Sequence, residues 1–229
     1  MPRFAEIFPE MAQVLAKVSA RADFERDDAD PWTDFVRAVL NGVEARKRER
    51  AIQALRDADL LSPRDLAETE LIELVETLRE ANATLADRDV IALKRSANWL
   101  TAQHDGDLES LSTIDSDTLR EQLSAIKGIS LSLADSILLF GLGRGVARFD
   151  RAGFRILVRH GWLDPSSEPE EFRSLLENAL DFDPVLLADW ALKLDALARD
   201  YCRVSVAKCE KCPLRPFLPR SGPLGGIDE

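Results

Sequence analysis

The sequence predicts an all-α fold, and three observations carry this prediction. Apolar residues recur at the helical spacing i, i+3, i+4, i+7, as at Leu71, Leu74, Val75 and Leu78. No stretch alternates apolar and polar residues over a useful strand length. The segment Leu131–Leu142 is apolar on all sides, which indicates a helix buried at the centre of a bundle.

The individual helices follow in chain order from the same periodicity. Helical spacing recurs in these stretches: Phe35–Val43, Leu71–Leu78, Val90–Leu100, Phe172–Ala179 and Leu187–Leu194. Ser62 followed by Pro63 is typical of a helix start, because Ser caps free N–H groups and Pro fits the first turn. Asp150 precedes a helical run that we expect to end near His160, with Gly161 beyond it.

Composition places the chain among ordinary globular proteins. Its 229 residues are 45% hydrophobic and 31% charged, which excludes collagen-like and disordered classes. No apolar run approaches the roughly 20 residues that span a bilayer. Residues 1–10 lack the apolar core of a secretory signal. We therefore expect a cytoplasmic protein without a membrane partner.

Charge is unevenly distributed along the chain. Thirty basic and 41 acidic residues give a net charge of −11, which argues against coating of nucleic acid through overall charge. Residues 126–160, however, hold six basic and two acidic side chains between acidic flanks. A polyanionic partner is expected at this basic segment.

A short turn at the start of the basic segment has the features of a phosphate-binding turn. The residues around Lys127 and Gly128 predict a helix, a tight turn and a second helix that begins near Ser130. Gly128 accommodates a left-handed backbone, and such a turn points successive N–H groups outward. An ordinary helix–turn–helix corner gives the same pattern, so both interpretations stay open on the hairpin alone.

Three motifs together resemble the endonuclease III-like DNA glycosylases, a helix-hairpin-helix superfamily. Ile126–Ser130 is similar to the family's hairpin, which usually reads Leu-Pro-Gly-Val-Gly. Asp150 lies where the family has its catalytic Asp. The third motif has the spacing of the family's iron–sulfur loop: Cys202, Cys209 and Cys212.

The resemblance implies an all-α fold with two lobes. Residues 30–144 would form a six-helix barrel that includes the helix-hairpin-helix. Residues 1–29 and 145–229 would form a second helical lobe that ends in the Cys-rich loop. A cleft between the lobes would bind double-stranded DNA with a damaged base, and the protein would be a monomer.

The resemblance also implies which residues bind DNA. The hairpin would hold a phosphate through these residues: Lys127, Gly128, Ile129 and Ser130. Three arginines near Asp150 would supply local positive charge: Arg148, Arg151 and Arg155, the last matching an Arg of the family's motif. The alternative for each arginine is a solvated or salt-bridged surface.

Departures from the family pattern indicate which reaction is implied. Ser132 stands where glycosylases that also cleave the strand carry a Lys, so no Schiff base forms there. Asp150 would activate water or stabilise positive charge on the sugar, and its simpler role is a helix N-cap; both roles are compatible. We therefore expect a monofunctional base-excision glycosylase that flips a damaged base and hydrolyses its N-glycosidic bond.

The Cys cluster predicts a metal site with an incomplete ligand set. A disulfide framework would spread its Cys residues and need an even number, whereas this chain has three. Leu218 stands where the family has its fourth Cys, and His104 and His160 are distant in sequence. Three alternatives stay open: a [4Fe–4S] cluster with another fourth ligand, no metal in a loop held by packing, and zinc.

A second hypothesis is a degenerate family member that binds DNA or a protein partner without cutting. The loop Asn41–Glu44 lacks the Gln that relatives place in the gap left by the flipped base, and the fourth Cys is missing. A third hypothesis is that the acidic faces bind a basic partner. Excision of a damaged base by the chain, lost in Asp150→Asn, separates the first hypothesis from the other two.

Overall fold

The computed structural model describes residues 4–18 and 30–224, and this part of the chain is helical. Its β-structure is limited to an isolated antiparallel bridge between Cys202 and Ala207, so the predicted all-α class is confirmed. The α-helices are α1 (Phe4–Leu15), α2 (Pro31–Val39), α3 (Ala45–Asp57), α4 (Pro63–Glu68), α5 (Leu71–Glu80), α6 (Asp87–His104), α7 (Ser116–Ala125), α8 (Leu131–Ser136), α9 (Arg151–Arg159), α10 (Pro169–Ala179) and α11 (Pro184–Asp200).

The helix starts and ends follow local sequence rules. Pro occupies the first turn of α2, α4, α10 and α11, where its missing N–H costs nothing. The expected cap at Ser62 is present, since its hydroxyl accepts a hydrogen bond from the Asp65 N–H at 3.1 Å. Helix α9 ends at Arg159 and is followed by Gly161 with φ of +71°, as predicted.

The described residues form two compact units. Residues 30–144 carry α2 to α8, and residues 4–18 with 145–224 carry α1 and α9 to α11. The predicted N-terminal boundary at residues 29 and 30 adjoins residues 19–29, which lie outside the described residues. Within the described ranges, every helix is too short or too polar to cross a bilayer.

The apolar segment Leu131–Leu142 lies in the first unit and is buried from Ala134 to Gly141. The expectation of burial on every side is wrong at Leu131, which is exposed because it begins α8 directly after the hairpin turn. From Ile137 to Gly141 the helix widens to i→i+5 hydrogen bonds. Gly141 lies against α2, where an added Cβ would be only 3.1 Å from the Phe35 Cα.

The second unit packs α9, α10 and α11 around buried apolar side chains. Phe172 and Leu197 are fully buried. Phe4 of α1 meets Trp162 and Trp190 edge to face, with ring centroids 5.4 and 6.0 Å apart. This core holds in place the start of α9, where Asp150 lies, and the Cys-rich loop that follows α11.

Candidate functional site

The predicted hairpin is present between α7 and α8. The Ile129 N–H donates to the Ile126 carbonyl at 2.9 Å, and Gly128 has a φ of +103°, which Gly adopts without strain. Ser130 caps α8, its hydroxyl accepting a hydrogen bond from the Leu133 N–H at 3.2 Å. The N–H groups of Gly128 and Ser130 make no backbone hydrogen bond among the described residues, which leaves them available to an anion.

Two contacts fix the hairpin within its unit. Arg120 of α7 forms a buried ion pair with Asp135 of α8, so the two helices are joined by charge as well as by packing. Arg95 of α6 donates from Nη1 to the Lys127 carbonyl at 2.7 Å. Ile129 is buried and belongs to the packing, whereas Lys127, Gly128 and Ser130 are exposed.

A pocket of about 640 Å³ opens beside the hairpin, within the unit of residues 30–144. It brings together Lys127, Gly128, Ser130 and Ser132 of the predicted set with other lining residues that include Arg88, Arg95 and Asn41. Sequence reasoning missed the two arginines of α6, because nothing in their spacing separates them from other surface charges. They add positive charge to this pocket.

The loop between α2 and α3 contributes Asn41 and Gly42 to the same pocket. The Asn41 amide nitrogen donates to the Ser136 hydroxyl at 3.2 Å. That hydrogen bond holds the side chain against α8.

Asp150 caps α9, and its two carboxylate oxygens have different surroundings. Oδ1 accepts a hydrogen bond from the Gly153 N–H at 2.7 Å. Oδ2 is buried and has no hydrogen-bond partner among the described residues. Its nearest opposite charge is Nη2 of Arg148, at 3.6 Å. One oxygen is therefore fixed by the helix, and the other makes no hydrogen bond and faces the Arg148 guanidinium.

Arg148 lies between two carboxylates. Its Nη2 donates to Asp195 Oδ2 at 2.7 Å in addition to facing Asp150. Burial raises the pKa of Asp195, as does the charge of Asp150, while Arg148 acts in the opposite direction. The three side chains thus form one charge cluster at the start of α9.

The arginines predicted to bind DNA have different environments. Arg148 is buried in the charge cluster, and Arg151 is exposed on the first turn of α9. Arg155 donates from Nε and Nη2 to the Cys202 carbonyl at 3.1 and 2.9 Å. Arg155 therefore ties α9 to the Cys-rich loop, and Arg151 alone of the three presents its charge to solvent. Ser132 and Asp150 lie in different units, and a catalytic role for each stays a prediction.

The three Cys residues line one small cavity in the second unit, together with His160 and Leu218. Cys202 is buried, and its Sγ accepts a hydrogen bond from Arg159 Nη1 at 3.2 Å. Burial raises the pKa of the Cys212 thiol, and the charges of the other two Cys residues raise it further, against a hydrogen bond from the Leu214 backbone. The loop therefore places its three Cys side chains along one cavity.

His160 is a member of this cavity that sequence reasoning missed. Its ring is 5% exposed, and Nδ1 lies 2.8 Å from the Ile156 carbonyl oxygen. Burial lowers the pKa of His160, and the Ile156 and Leu214 carbonyls oppose that effect. Nε2 makes no hydrogen bond among the described residues. His160 lies 42 residues before Cys202 in the sequence, so the sequence does not indicate that the two residues line the same cavity.

The cavity does not fit the [4Fe–4S] cluster that the family resemblance implies. Four Cys thiolates normally hold such a cluster, and this loop supplies three. Leu218, at the position of the fourth Cys, offers no ligand atom. Among the described residues, no group of three or more His, Cys, Asp or Glu is drawn close enough to hold a metal ion as it stands.

Comparison with known sequences finds two relatives, one of them named as a DNA repair glycosylase. No family model matches the sequence. The chain is 28% identical over 171 residues to a Methanocaldococcus jannaschii protein named "Putative DNA repair glycosylase", covering 74% of this chain and 76% of that protein. It is also 28% identical over 168 residues to the rice protein ROS1A, covering 66% of this chain but only 8% of that protein.

Comparison with solved structures finds the same fold in DNA glycosylases. An endonuclease III–DNA complex aligns with a TM-score of 0.66 at 14% identity, covering 95% of this chain and 96% of that one. A thermostable thymine-DNA glycosylase aligns at 0.64 and 15% identity, covering 93% and 94%. A 3-methyladenine DNA glycosylase of H. pylori aligns at 0.60 and 14% identity, covering 86% and 98%. At these identities the likeness establishes the fold.

Proposed function

We propose that the chain is an endonuclease III-like protein and a monofunctional base-excision DNA glycosylase. The substrate would be double-stranded DNA with a damaged base, flipped out of the helix before its N-glycosidic bond is hydrolysed. The M. jannaschii relative and the structural neighbours named as DNA glycosylases support this class of activity.

The observation that carries the proposal is the buried Oδ2 atom of Asp150, which makes no hydrogen bond among the described residues. A buried carboxylate oxygen that accepts no hydrogen bond lowers the stability of the fold, which points to a functional role for it. The α9 cap already orients this side chain. Asp150 would accept a proton from the attacking water or stabilise the cationic sugar as the bond breaks. The Arg148 guanidinium, 3.6 Å from Oδ2, would hold the carboxylate in place.

The hairpin would bind the DNA backbone. The N–H groups of Gly128 and Ser130 are free of backbone partners and would donate to a phosphate, with Lys127 adding charge. Arg95 supports this contact indirectly, because its hydrogen bond to the Lys127 carbonyl holds the turn in shape. Exposed Arg151 would contact a second phosphate.

Ser132 argues for hydrolysis without strand cleavage. An imine needs an amine, and a hydroxyl at this position supplies none. Lys127 lies on the exposed hairpin, where a phosphate contact suits its charge. The reaction would therefore leave an abasic site in an intact strand, with water as the nucleophile.

The decisive experiment compares wild type and Asp150→Asn on duplexes with alkylated, mismatched or oxidised bases. Each reaction is divided into samples with and without alkali, since an abasic strand breaks only on alkaline treatment. Asn keeps the helix cap, so the variant is expected to fold and to bind DNA while base release falls at least about 100-fold. Borohydride is expected to trap no covalent adduct in either protein.

Asp183→Asn is the matched control, because Asp183 caps α11 in the same unit with hydrogen bonds to the Val185 and Leu186 N–H groups. It should excise at the wild-type rate. Equal excision by wild type and Asp150→Asn would contradict the proposal. Cleavage without alkali would contradict the monofunctional assignment and direct attention to Lys127.

The alternative is a family member that binds DNA without excising a base. The hydrogen bond from Asn41 to Ser136 favours it, because a side chain held against α8 is less able to fill the gap left by a flipped base. Salt-sensitive binding to duplex DNA with no base released from any lesion would support this alternative.

A further inference from the structure

We propose that an exposed apolar patch at the start of α11 binds a basic amphipathic helix of a protein partner. The patch consists of Phe182, Val185 and Leu186, which lie within the unit of residues 4–18 and 145–224. Nothing in this inference depends on glycosylase activity, because the patch contains none of the residues proposed to act on DNA.

Large apolar side chains that face solvent are concentrated in this patch. Eight such side chains are exposed among the described residues, and three of them fall within the five residues from Phe182 to Leu186. Val185 is 75% exposed, Phe182 53% and Leu186 47%. Single exposed apolar residues are ordinary on a protein surface, whereas a group of them is typical of a surface that a partner covers.

The backbone holds Phe182 at the surface in a conformation that a bulky residue rarely adopts. Asp181 and Phe182 have φ of +50° and +55°, in the left-handed region that favours glycine. The Phe182 N–H donates to the Glu177 carbonyl at 2.9 Å, and the Phe182 carbonyl lies so close to Gly145 that a Cβ there would overlap the oxygen. Such strain is retained chiefly at functional positions, so the stability of the fold does not explain an aromatic residue here.

The surroundings of the patch are acidic, which indicates the charge of the partner. Residues 174–192 contain four acidic side chains and no Lys or Arg. Asp181 and Asp183 flank Phe182, are exposed, and form no ion pair in the part of the chain that the structure describes. An apolar centre with an acidic rim is complementary to an apolar surface bordered by Lys or Arg. The same charges repel the phosphates of a nucleic acid, and they repel an identical patch on a second copy of the chain.

An amphipathic helix offers the partner surface that the patch requires. Apolar side chains at i, i+3, i+4 and i+7 form one stripe on a helix, and its flanks can carry Lys or Arg. The stripe would cover Phe182 and the first turn of α11, and the flanks would pair with Asp181 and Asp183. The Asp183 carboxylate is already oriented, because its Oδ1 accepts hydrogen bonds from the Val185 and Leu186 N–H groups at 2.8 and 3.0 Å.

Binding of two labelled helical peptides to the full chain, measured by fluorescence anisotropy at low salt, tests the proposal. Both peptides carry the same Leu stripe, one with Lys and the other with Glu on its flanks, and only the Lys peptide is expected to bind. Phe182→Gly should weaken its binding by at least about tenfold, and Val185→Ser should act in the same direction. Phe182→Gly should not lower the midpoint of urea unfolding, because glycine adopts a positive φ without strain. Asp181→Asn is expected to weaken binding about two- to fivefold through the loss of an exposed ion pair.

Ile72→Ser and Asp59→Asn are the matched controls, since both residues lie in the unit of residues 30–144. Ile72 is an apolar side chain that is 65% exposed, and Asp59 is an exposed acid with φ of +57°. Both variants should bind the Lys peptide with wild-type affinity.

Three results with the peptides would overturn the proposal: no binding of the Lys peptide, equal binding of the two peptides, or wild-type affinity in Phe182→Gly. Two further results would overturn it by identifying another occupant. Dimerisation of the wild type that Phe182→Gly abolishes would identify a second copy of the chain, and weaker binding of duplex DNA by Phe182→Gly would identify a nucleic acid.

Discussion

At the scale of single residues, two side chains of the candidate sites each have one polar atom that is hydrogen-bonded and one that is not. Asp150 caps α9 through Oδ1, while its Oδ2 makes no hydrogen bond among the described residues. In His160, Nδ1 is hydrogen-bonded to the Ile156 carbonyl, and Nε2 makes no hydrogen bond among the described residues. In each case the local helix fixes the orientation of the side chain, and the second atom remains for chemistry or for a ligand.

Gly153 keeps room for the free oxygen of Asp150. A Cβ at this position would lie 2.9 Å from Asp150 Oδ2 and 3.3 Å from both Leu194 Cδ1 and Phe172 Cζ. In Gly153→Ala the carboxylate has to move, since its neighbours are core side chains. We expect base excision to fall about 10- to 100-fold, because a displacement near 1 Å at a catalytic group costs that much.

Stability should change less in Gly153→Ala. Crowding costs about 1–3 kcal/mol, and the better helix propensity of Ala offsets up to about 1 kcal/mol of it. Single-turnover excision together with urea unfolding separates the two effects. Excision at the wild-type rate in a folded Gly153→Ala protein would contradict the role assigned to Oδ2.

At the scale of elements, the sequence predicts helices well where local rules determine them. Ser62 with Pro63 and Gly161 marked a helix start and a helix end from side-chain chemistry alone. The widened turn from Ile137 to Gly141 was not predictable, because an i→i+5 turn has no composition of its own and depends on packing against α2. His160 was missed as a neighbour of the Cys residues for the same reason, since tertiary packing brings them together.

Gly141 is the contact that joins this widened turn to α2. An added Cβ would lie 3.1 Å from Phe35 Cα and 3.2 Å from Ala38 Cβ, and the Phe35 backbone cannot yield without moving the helix. We expect Gly141→Ala to lower the free energy of unfolding by about 1–3 kcal/mol, measured by urea denaturation. Gly42→Ala is the control, because a Cβ there meets nothing within 4 Å, and it should change stability by less than about 0.5 kcal/mol. Equal effects would show that the close approach to α2 carries no strain.

At the scale of the whole molecule, the charge counted from the sequence differs from the charge that the structure presents to solvent. The net charge of −11 is fixed by composition, and the basic segment 126–160 can be found by counting. Counting residues cannot distinguish charged side chains that face solvent from those paired with other groups inside the protein. Arg148 is buried beside Asp195, and Arg155 is bonded to the Cys202 carbonyl, so the segment offers a polyanion less charge than its composition suggests.

The salt dependence of DNA binding tests which arginines of the basic segment are available to phosphates. A protein that neutralises phosphates loses affinity as salt rises, with a slope of log K against log salt near −0.9 per contact. Arg151→Gln removes an exposed charge and is expected to reduce the magnitude of the slope by about 0.9. Arg155→Gln should leave the slope unchanged and instead lower the free energy of unfolding by about 1–3 kcal/mol, because its hydrogen bonds hold α9 to the Cys-rich loop.

Fluorescence anisotropy with an undamaged duplex measures the slope without any requirement for excision. An equal change of slope in both variants would mean that Arg155 leaves the Cys202 carbonyl to contact DNA, and the Cys-rich loop would then loosen whenever the protein binds.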